Sequence, residues 1–245
     1  MKEKKLKLSL LFNLIFLLFF LNHFVFHLGI KRVVEVFLRE NKIVDMPMGY
    51  EKNPAYGLAI RLYDAYLPRE ANIVMLGDSI TAAVDWNELL GRADVANRGI
   101  GGDNPEGFLN RLDYVYKLSP KICFLQASGN DILGMPIKDI YGIYLQIVAE
   151  LKKHDIIPVI QAALHRSIKD SEESSRRITK LNEMLKQFAQ ENQVDFLDLN
   201  EVLSEKKQLK SKYTYDGIHL TAAGYKLWRE AISPIIKKYQ AQWKD

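Results

Sequence analysis

The sequence predicts an α/β protein: a three-layer α/β/α sandwich around a five-stranded parallel sheet, preceded by an N-terminal transmembrane helix. Two observations lead to this fold class. Five short, apolar, β-prone runs alternate with longer helix-like stretches along most of the chain. Near the amino terminus, residues 8–30 contain no Asp, Glu, Lys or Arg. The alternation is typical of a parallel sheet covered on both faces, and the uncharged run has the length of a membrane span.

The N-terminal run is long enough to cross a bilayer. As a helix, residues 8–30 would extend roughly 34 Å, whereas the hydrocarbon core is about 30 Å thick. The lysine-rich "MKEKKLK" precedes the run. These features also fit a cleaved signal peptide, but no small-residue A-x-A site follows, so we favour a retained anchor. Because a short basic amino terminus usually stays inside, we expect a membrane-anchored protein whose large domain is extracytoplasmic.

The chain divides into three parts. Residues 1–30 form the predicted membrane anchor, and residues 31–71 form a spacer and lead-in segment that contains the loop-like "DMPMGYEKNPAYG". Residues 72–245 form the globular domain. A total of 245 residues suits one such domain with an appendage.

The order of the predicted elements indicates where the domain would bind a ligand. This place is the edge of the sheet at the carboxyl ends of the strands, which we call the functional edge. The strand-like runs are "NIVMLG", "DVANRG", "KICFLQAS", "IIPVIQAA" and "VDFLDL". The helix-like stretches are "AAVDWNELLG", "PEGFLNRLDYVYKL", "IKDIYGIYLQIVAELKKH", "SEESSRRITKLNEMLKQFAQEN" and "LTAAGYKLWREAISPIIKKYQ". Right-handed crossovers bring the carboxyl ends of all parallel strands to one edge, which is where open α/β sheets bind ligands.

Composition excludes several classes of protein. The net charge is only +4, and the basic residues are dispersed among acidic ones, so the chain lacks a nucleic-acid footprint. The single cysteine, Cys123, lies in the apolar run "ICFLQA". One cysteine permits neither an intramolecular disulfide nor a cysteine metal cluster, and we expect a buried, inert thiol.

A serine, a histidine and an aspartate are predicted to meet at the functional edge. Ser79 follows the first strand in "GDSI", and "DGIH" places Asp216 three residues before His219. Histidine can accept a proton from a serine hydroxyl near neutral pH, and a carboxylate can orient the imidazole. Each residue also has a structural interpretation: a helix cap for Ser79, a cap or surface residue for His219, and a turn for Asp216.

A serine activated in this way can attack an ester carbonyl, and that reaction needs fixed donors for the negative oxygen that develops on the carbonyl. The candidates are the backbone N–H of Ser79, the glycine-rich "GIGGD" loop with Gly102, and the amide of Asn130 in "SGND". A strand-to-helix turn would equally explain Gly102, and an Asx-turn would explain Asn130.

In this order, the blocks "GDSI", "NRGIGGDN", "SGND" and "DGIHLTAAGY" resemble the SGNH/GDSL hydrolase family, from residue 73 to the carboxyl terminus. The second and fourth blocks look most like the platelet-activating-factor acetylhydrolase-like branch. The resemblance implies a flavodoxin-like fold, Ser79 as nucleophile, His219 as base and Asp216 as its orienter. It also implies that the Ser79 N–H, Gly102 and Asn130 form the oxyanion hole. The family usually has glycine where this chain has Ser128, which leaves the local backbone path and the pocket size open.

Three further residues are candidates for substrate binding. Asp78, Asp131 and His165 all lie at the predicted ligand edge, and His165 is also the alternative base if His219 is not. The histidines and carboxylates show no metal-ligand spacing such as H-E-x-x-H, and the glycine-rich loop lacks the Gly-Lys-Ser/Thr of a nucleotide-binding loop. We therefore expect neither metal nor cofactor.

The function expected from the residues and the resemblance is that of a membrane-tethered serine esterase. It would hydrolyse O-acetyl or other short acyl esters of an envelope glycan or lipid through an acyl-enzyme intermediate. One alternative is a lysophospholipase or thioesterase-type acyl hydrolase. The other is a non-catalytic glycan- or lipid-binding module, because fold alone does not establish activity.

Overall fold

A five-stranded parallel sheet forms the centre of the part of the chain that the computed structural model describes, residues 49–67, 69–168 and 171–243. Its strand order is β2-β1-β3-β4-β5, the order of flavodoxin-like folds. The strands are β1 Ile73–Gly77, β2 Val95–Gly99, β3 Ile122–Gln126, β4 Ile157–Gln161 and β5 Asp195–Leu197. All five predicted strands are therefore present.

The helices cover both faces of this sheet. They are α1 Pro54–Ala65, α2 Ser79–Ala82, α3 Trp86–Leu90, α4 Pro105–Asn110, α5 Asp113–Tyr116, α6 Ile137–Lys153, α7 Glu172–Glu191, α8 Asn200–Leu203 and α9 Ala222–Gln240. A short antiparallel hairpin, β6 Ser204–Glu205 and β7 Gln208–Leu209, follows α8. Single 3₁₀ turns lie at Tyr50–Lys52 and Ser211–Tyr213.

Alternating residues of the central strands supply two separate cores. Val74 and Leu76 of β1 belong to a cluster that includes Tyr144 of α6 and Leu185 of α7. Ile73 and Met75, on the opposite face of β1, belong to a cluster that includes Trp86 and Trp228 from α3 and α9. Because successive side chains of a strand point to opposite faces, the continuous apolar run in β1 builds both cores. The result is the predicted three-layer sandwich.

The fold-class prediction is wrong in its transmembrane helix. In the described part of the chain, no helix combines the length and apolar character needed to cross a bilayer. The two longest helices, α7 and α9, are long enough but carry many charged side chains, as in "EESSRRITKLNEMLKQFAQE". Residues 8–30, on which the membrane helix was predicted, lie outside the described residues. The extracytoplasmic location inferred from them stays a prediction.

The lead-in segment contains a helix, α1, whose first turn lies in the stretch that was predicted to be a loop. Asn53 caps α1 by accepting a hydrogen bond from the Ala55 N–H at 3.0 Å, and Pro54 occupies the first helical position. Both are standard features of a helix start. Tyr56 of α1 is buried, and its hydroxyl accepts a hydrogen bond from Asn110 at 2.9 Å. Part of residues 31–71 therefore packs on the globular domain.

Candidate active site

A tight strand-to-helix turn places Ser79 at the carboxyl end of β1. A Cβ atom at Gly77 would lie 2.1 Å from Thr81 Oγ1, so only glycine fits the turn. The N-cap of α2 is Asp78, whose Oδ1 accepts a hydrogen bond from the Ile80 N–H at 2.9 Å. The interpretation of Ser79 as the helix cap is therefore wrong, and its hydroxyl is available for another partner.

That partner is the imidazole of His219. His219 Nε2 lies 3.0 Å from Ser79 Oγ, and His219 Nδ1 lies 2.6 Å from Asp216 Oδ2. An ionised carboxylate has only acceptors, so the Nδ1 atom facing Asp216 carries the proton. In the neutral ring, Nε2 is then the acceptor for the Ser79 hydroxyl. The three side chains form a continuous chain of hydrogen bonds from carboxylate to hydroxyl.

The turn around Asp216 holds this chain in place. Asp216 Oδ1 accepts hydrogen bonds from the His219 N–H at 2.7 Å and the Ile218 N–H at 2.9 Å. Thr214 Oγ1 donates to the His219 carbonyl and accepts from the Gly217 N–H. Gly217 has φ +88, a conformation that favours glycine. The Asp-Gly turn and the orienting carboxylate are therefore one structure, not alternatives.

Asp216 remains ionised because its hydrogen bonds outweigh its partial burial. Desolvation raises the pKa of this carboxyl, but the hydrogen bonds from the His219 ring, the His219 N–H and the Ile218 N–H lower it, and the net pKa lies below the ordinary value. A carboxylate ionised at neutral pH can stabilise a positively charged imidazole beside it.

The two predicted oxyanion residues, Gly102 and Asn130, belong to adjoining loops. Asn130 Nδ2 donates one of its two hydrogens to the Asp103 carbonyl at 2.8 Å, while Arg166 Nη2 donates to Asn130 Oδ1 at 3.1 Å. These contacts fix which side of the amide carries the donors. Gly102, with φ +70, immediately precedes Asp103. Asn130 and Ser79 line the same cavity.

A buried ion pair holds the loop that contains Gly102. Arg111 Nε donates to Asp103 Oδ2 at 2.8 Å, and both side chains are fully buried. Arg111 Nη2 also donates to the carbonyl of Gly77 at 3.0 Å, two residues before Ser79. Asn53, in the lead-in segment, also contacts this loop, because its Nδ2 donates to the Gly101 carbonyl at 2.8 Å. The loop is thus tied both to the nucleophile strand and to the lead-in segment.

The cavity beside Ser79 is very small. Its volume is about 10 Å³, and its lining includes Asn130, Leu164, His165 and Ile218. A larger cavity of about 730 Å³ lies against β2 and α3, but its lining contains none of the predicted catalytic residues. The predicted nucleophile, Ser79, therefore lines the small cavity and not the large one.

The three candidate substrate-binding residues are held by protein partners. Asp78 is a helix cap, Asp131 Oδ2 accepts from Asn104 Nδ2 at 2.5 Å, and His165 Nε2 lies 3.1 Å from Thr179 Oγ1. Burial lowers the pKa of His165, which favours its neutral form. His165 lines the cavity, but the imidazole beside the Ser79 hydroxyl is that of His219.

Metal-ligating residues do not cluster in residues 49–67, 69–168 and 171–243, where no three His, Cys, Asp or Glu side chains are grouped to hold an ion. Burial raises the pKa of the Cys123 thiol to about 12, so this cysteine is neutral and lies in the core.

Several supporting residues were missed by the sequence analysis. Asn53, Arg111 and Arg166 reach the site through side-chain contacts that sequence spacing does not reveal. One signal was available for Arg111, a charged residue among the apolar positions of "PEGFLNRLDYVYKL". Tyr215, 70% exposed, stacks on His219 with ring centroids 5.8 Å apart, and it directly precedes the predicted Asp216.

Comparison with known proteins identifies relatives of the described fold. A model of the GDSL-like lipase/acylhydrolase family matches residues 75–227. A proposed acylhydrolase from Bacteroides fragilis NCTC 9343 is 29% identical with a TM-score of 0.66, and the match covers 76% of this chain and 98% of that one. A structure described as a platelet activating factor from Streptococcus pneumoniae is 26% identical with a TM-score of 0.63, covering 84% and 98% of the two chains.

Curated relatives share a smaller part of their length. An N-acylneuraminate cytidylyltransferase from Streptococcus agalactiae serotype III (strain NEM316) is 24% identical over 160 residues, which is 65% of this chain. The chain spans only 37% of the length of that relative.

Proposed function

The chain belongs to the GDSL-like lipase/acylhydrolase family and is an ester hydrolase, and from this premise we propose that it removes an acetyl or other short acyl group from a glycan or lipid through Ser79, His219 and Asp216. The observation that carries this proposal is the hydrogen-bonded chain from Asp216 through His219 to the Ser79 hydroxyl. The resemblance to the SGNH/GDSL family read from the four sequence blocks is confirmed.

In the first half of the proposed reaction, Ser79 Oγ attacks the ester carbonyl carbon and its proton passes to His219 Nε2. Asp216 stabilises the resulting imidazolium and keeps the ring oriented. The negative carbonyl oxygen is met by the N–H groups of Ser79 and Gly102 and by the second hydrogen of Asn130 Nδ2. The bond to the leaving alkoxy oxygen then breaks, His219 returns the proton to that oxygen, and the acyl group remains on Ser79.

The second half returns the enzyme to its starting state. A water molecule gives its proton to His219 Nε2 and attacks the acyl carbon. The bond between that carbon and Ser79 Oγ breaks, and His219 passes the proton to Oγ. The products are a carboxylic acid and the free Ser79 hydroxyl. The bond and proton changes of both halves involve only the three side chains, the oxyanion donors and water.

The size of the cavity supports a short acyl group. The cavity that Ser79 lines is narrow, with a volume of about 10 Å³, and a narrow space beside the nucleophile fits a short acyl group better than a long one. Long acyl chains, as in lysophospholipids, would need Leu164 or Ile218 to move. This favours the hydrolysis of acetyl esters over the alternative, a lysophospholipase or thioesterase-type activity on long acyl chains.

An acylated sugar is the first substrate class that we propose for the alcohol part of the ester. The curated relative is named for N-acylneuraminate, a sugar acid, and the match takes in 65% of this chain and 37% of the relative. An acylated lipid is the second class.

The test is hydrolysis of a graded ester panel by the purified full-length chain. Acetyl, butyryl, octanoyl and palmitoyl esters of one alcohol separate acyl length, and O-acetylated sugars are compared with acetylated lipids. We expect the highest kcat/KM with acetyl esters and a decrease with chain length. Highest kcat/KM with palmitoyl esters would overturn the short-acyl proposal, and no hydrolysis of any ester would overturn the proposed activity.

A further inference from the structure

The side chain of Ser128 lies between the nucleophile turn and the loop that carries Asn130. Ser128 follows β3, and only 1% of its surface is exposed. Its hydroxyl donates to Asp78 Oδ2 at 2.6 Å and accepts from the Asn130 N–H at 3.0 Å. Its own N–H donates to the Tyr144 hydroxyl at 2.7 Å. A single oxygen atom therefore bridges two segments that both line the catalytic cavity.

One end of the bridge holds the start of the nucleophile helix. Asp78 is 3% exposed, caps α2 through Oδ1, and uses Oδ2 to accept from Ser128. Burial raises the pKa of Asp78, whereas the hydrogen bonds from Ser128 and the Ile80 N–H lower it. Loss of the Ser128 donor would therefore weaken the fixed position of this carboxylate directly beside Ser79.

The other end of the bridge holds the backbone of Asn130. The side chain of Asn130 is already fixed by Asp103 and Arg166, so the Ser128 contact adds the main-chain constraint. With backbone and side chain both held, the donor hydrogen of Asn130 Nδ2 has a defined direction relative to Ser79. A glycine or alanine at position 128 cannot supply this link.

We propose that Ser128 is a positioning residue whose hydroxyl sets the separation between the Ser79 nucleophile and the Asn130 oxyanion donor. This inference rests on the proposed function and assigns a role to the residue that departs from the family pattern. Both groups must reach one tetrahedral carbon and its oxygen together, and a misplacement of about 1 Å can cost roughly 100-fold in rate. Because the transition state needs this alignment more than substrate binding does, loss of the hydroxyl should lower kcat and leave KM almost unchanged.

The test compares Ser128→Ala with the parent on a soluble acetyl ester, at a temperature where circular dichroism shows both to be folded. The matched control is Ser233→Ala, which removes a hydroxyl that donates to the Arg229 carbonyl in α9, outside the cavity lining. We expect Ser128→Ala to lose about tenfold or more in kcat with KM within about twofold, and Ser233→Ala to match the parent.

A lower Tm with an unchanged kcat would show a purely structural role and overturn the inference. If Ser128→Ala does not fold, Ser128→Cys carries the test, because a thiol has nearly the same shape but is a weak donor. A fall in kcat for folded Ser128→Cys supports the inference, and parental kcat overturns it. An inactive parent contradicts the proposed function itself, whereas an active parent with an equally active Ser128 variant contradicts only this inference.

Discussion

His219 Nε2 lies 3.0 Å from Ser79 Oγ, although 140 residues separate the two in the chain. β1 brings Ser79 to the carboxyl edge of the sheet, and the turn before α9 brings His219 to the same place. The proposed nucleophile and base therefore come from opposite ends of the domain.

The roles of His219 and Asp216 predict a loss of activity when either side chain is replaced. His219 carries the proton from Ser79, so His219→Ala should lower kcat/KM on the order of a thousandfold or more. Asp216→Asn replaces an ionised acceptor with an amide that can support the wrong tautomer of the ring, so it should also lower kcat/KM strongly. Steady-state kinetics over a pH series measures both. Near-parental activity of His219→Ala would place the base elsewhere, with His165 the first residue to test.

The buried carboxyl of Asp78 predicts a specific dependence of stability on pH. Burial raises the pKa of Asp78 despite the hydrogen bonds from Ser128 and Ile80 and the charges of Arg166 and His219. Between the unfolded pKa, about 3.9, and the higher folded pKa, the folded state binds more protons. The contribution of Asp78 is therefore fully present below the unfolded pKa and is lost as the pH rises through the folded pKa.

Asp78→Asn removes this titration while keeping a side chain that can cap α2. The free energy of unfolding of Asp78→Asn, relative to the parent and measured from about pH 4 to neutral pH, should therefore rise as the pH rises. Denaturant unfolding of both proteins across this range measures the difference. A constant or falling difference would contradict the raised pKa.

The buried pair of Asp103 and Arg111 predicts a large loss of stability when one partner is removed. Arg111→Met leaves the Asp103 carboxylate buried without its cation, which typically costs about 3–5 kcal/mol. The double variant Asp103→Asn with Arg111→Met should recover part of this loss. Urea unfolding gives the free energies, and the exposed pair of Arg176 and Glu173 provides the control. Equal effects of Arg111→Met and Arg176→Met would contradict the importance of the buried pair.

The small cavity predicts that acyl specificity can be widened. Leu164 lines the cavity and is buried, so Leu164→Ala should raise the ratio of butyryl to acetyl kcat/KM. Leu203→Ala is the matched control, because Leu203 is buried in the same hydrophobic cluster and does not line the cavity. Both changes should destabilise by about 2–5 kcal/mol, so activity is measured where each variant is folded. An unchanged ratio for Leu164→Ala would contradict the cavity's role.

The strands were predictable because a parallel sheet buried on both faces requires continuous apolar runs. Each run quoted from the sequence contains one strand, for example "KICFLQAS" with β3 at Ile122–Gln126. Helix α1 was missed because the glycine and prolines near it suggested a loop, although Asn53 and Pro54 form a typical helix start. The stretch "PEGFLNRLDYVYKL" was read as one helix and is two, α4 and α5, with Arg111 in the break between them.

The site was predictable as far as its residues lie at strand ends or share a turn. Ser79 lies at a strand end, Asp216 and His219 share a turn, and the structure brings the three side chains together. The contacts of Ser128 with Asp78 and of Arg111 with Gly77 could not be read from spacing, because they join residues far apart in the chain. Such contacts depend on the register of neighbouring strands, which the sequence pattern alone does not specify.

The most direct test of the account is the kcat/KM of Ser79→Ala on a soluble acetyl ester, measured beside the parent with circular dichroism of both proteins. Removal of one half-buried hydroxyl leaves the Asp78 cap and the strand intact, so the variant should fold like the parent. We expect the folded variant to lose nearly all ester hydrolysis, on the order of a thousandfold or more. Comparable turnover by the folded variant and the parent would contradict the assignment of Ser79 as the nucleophile.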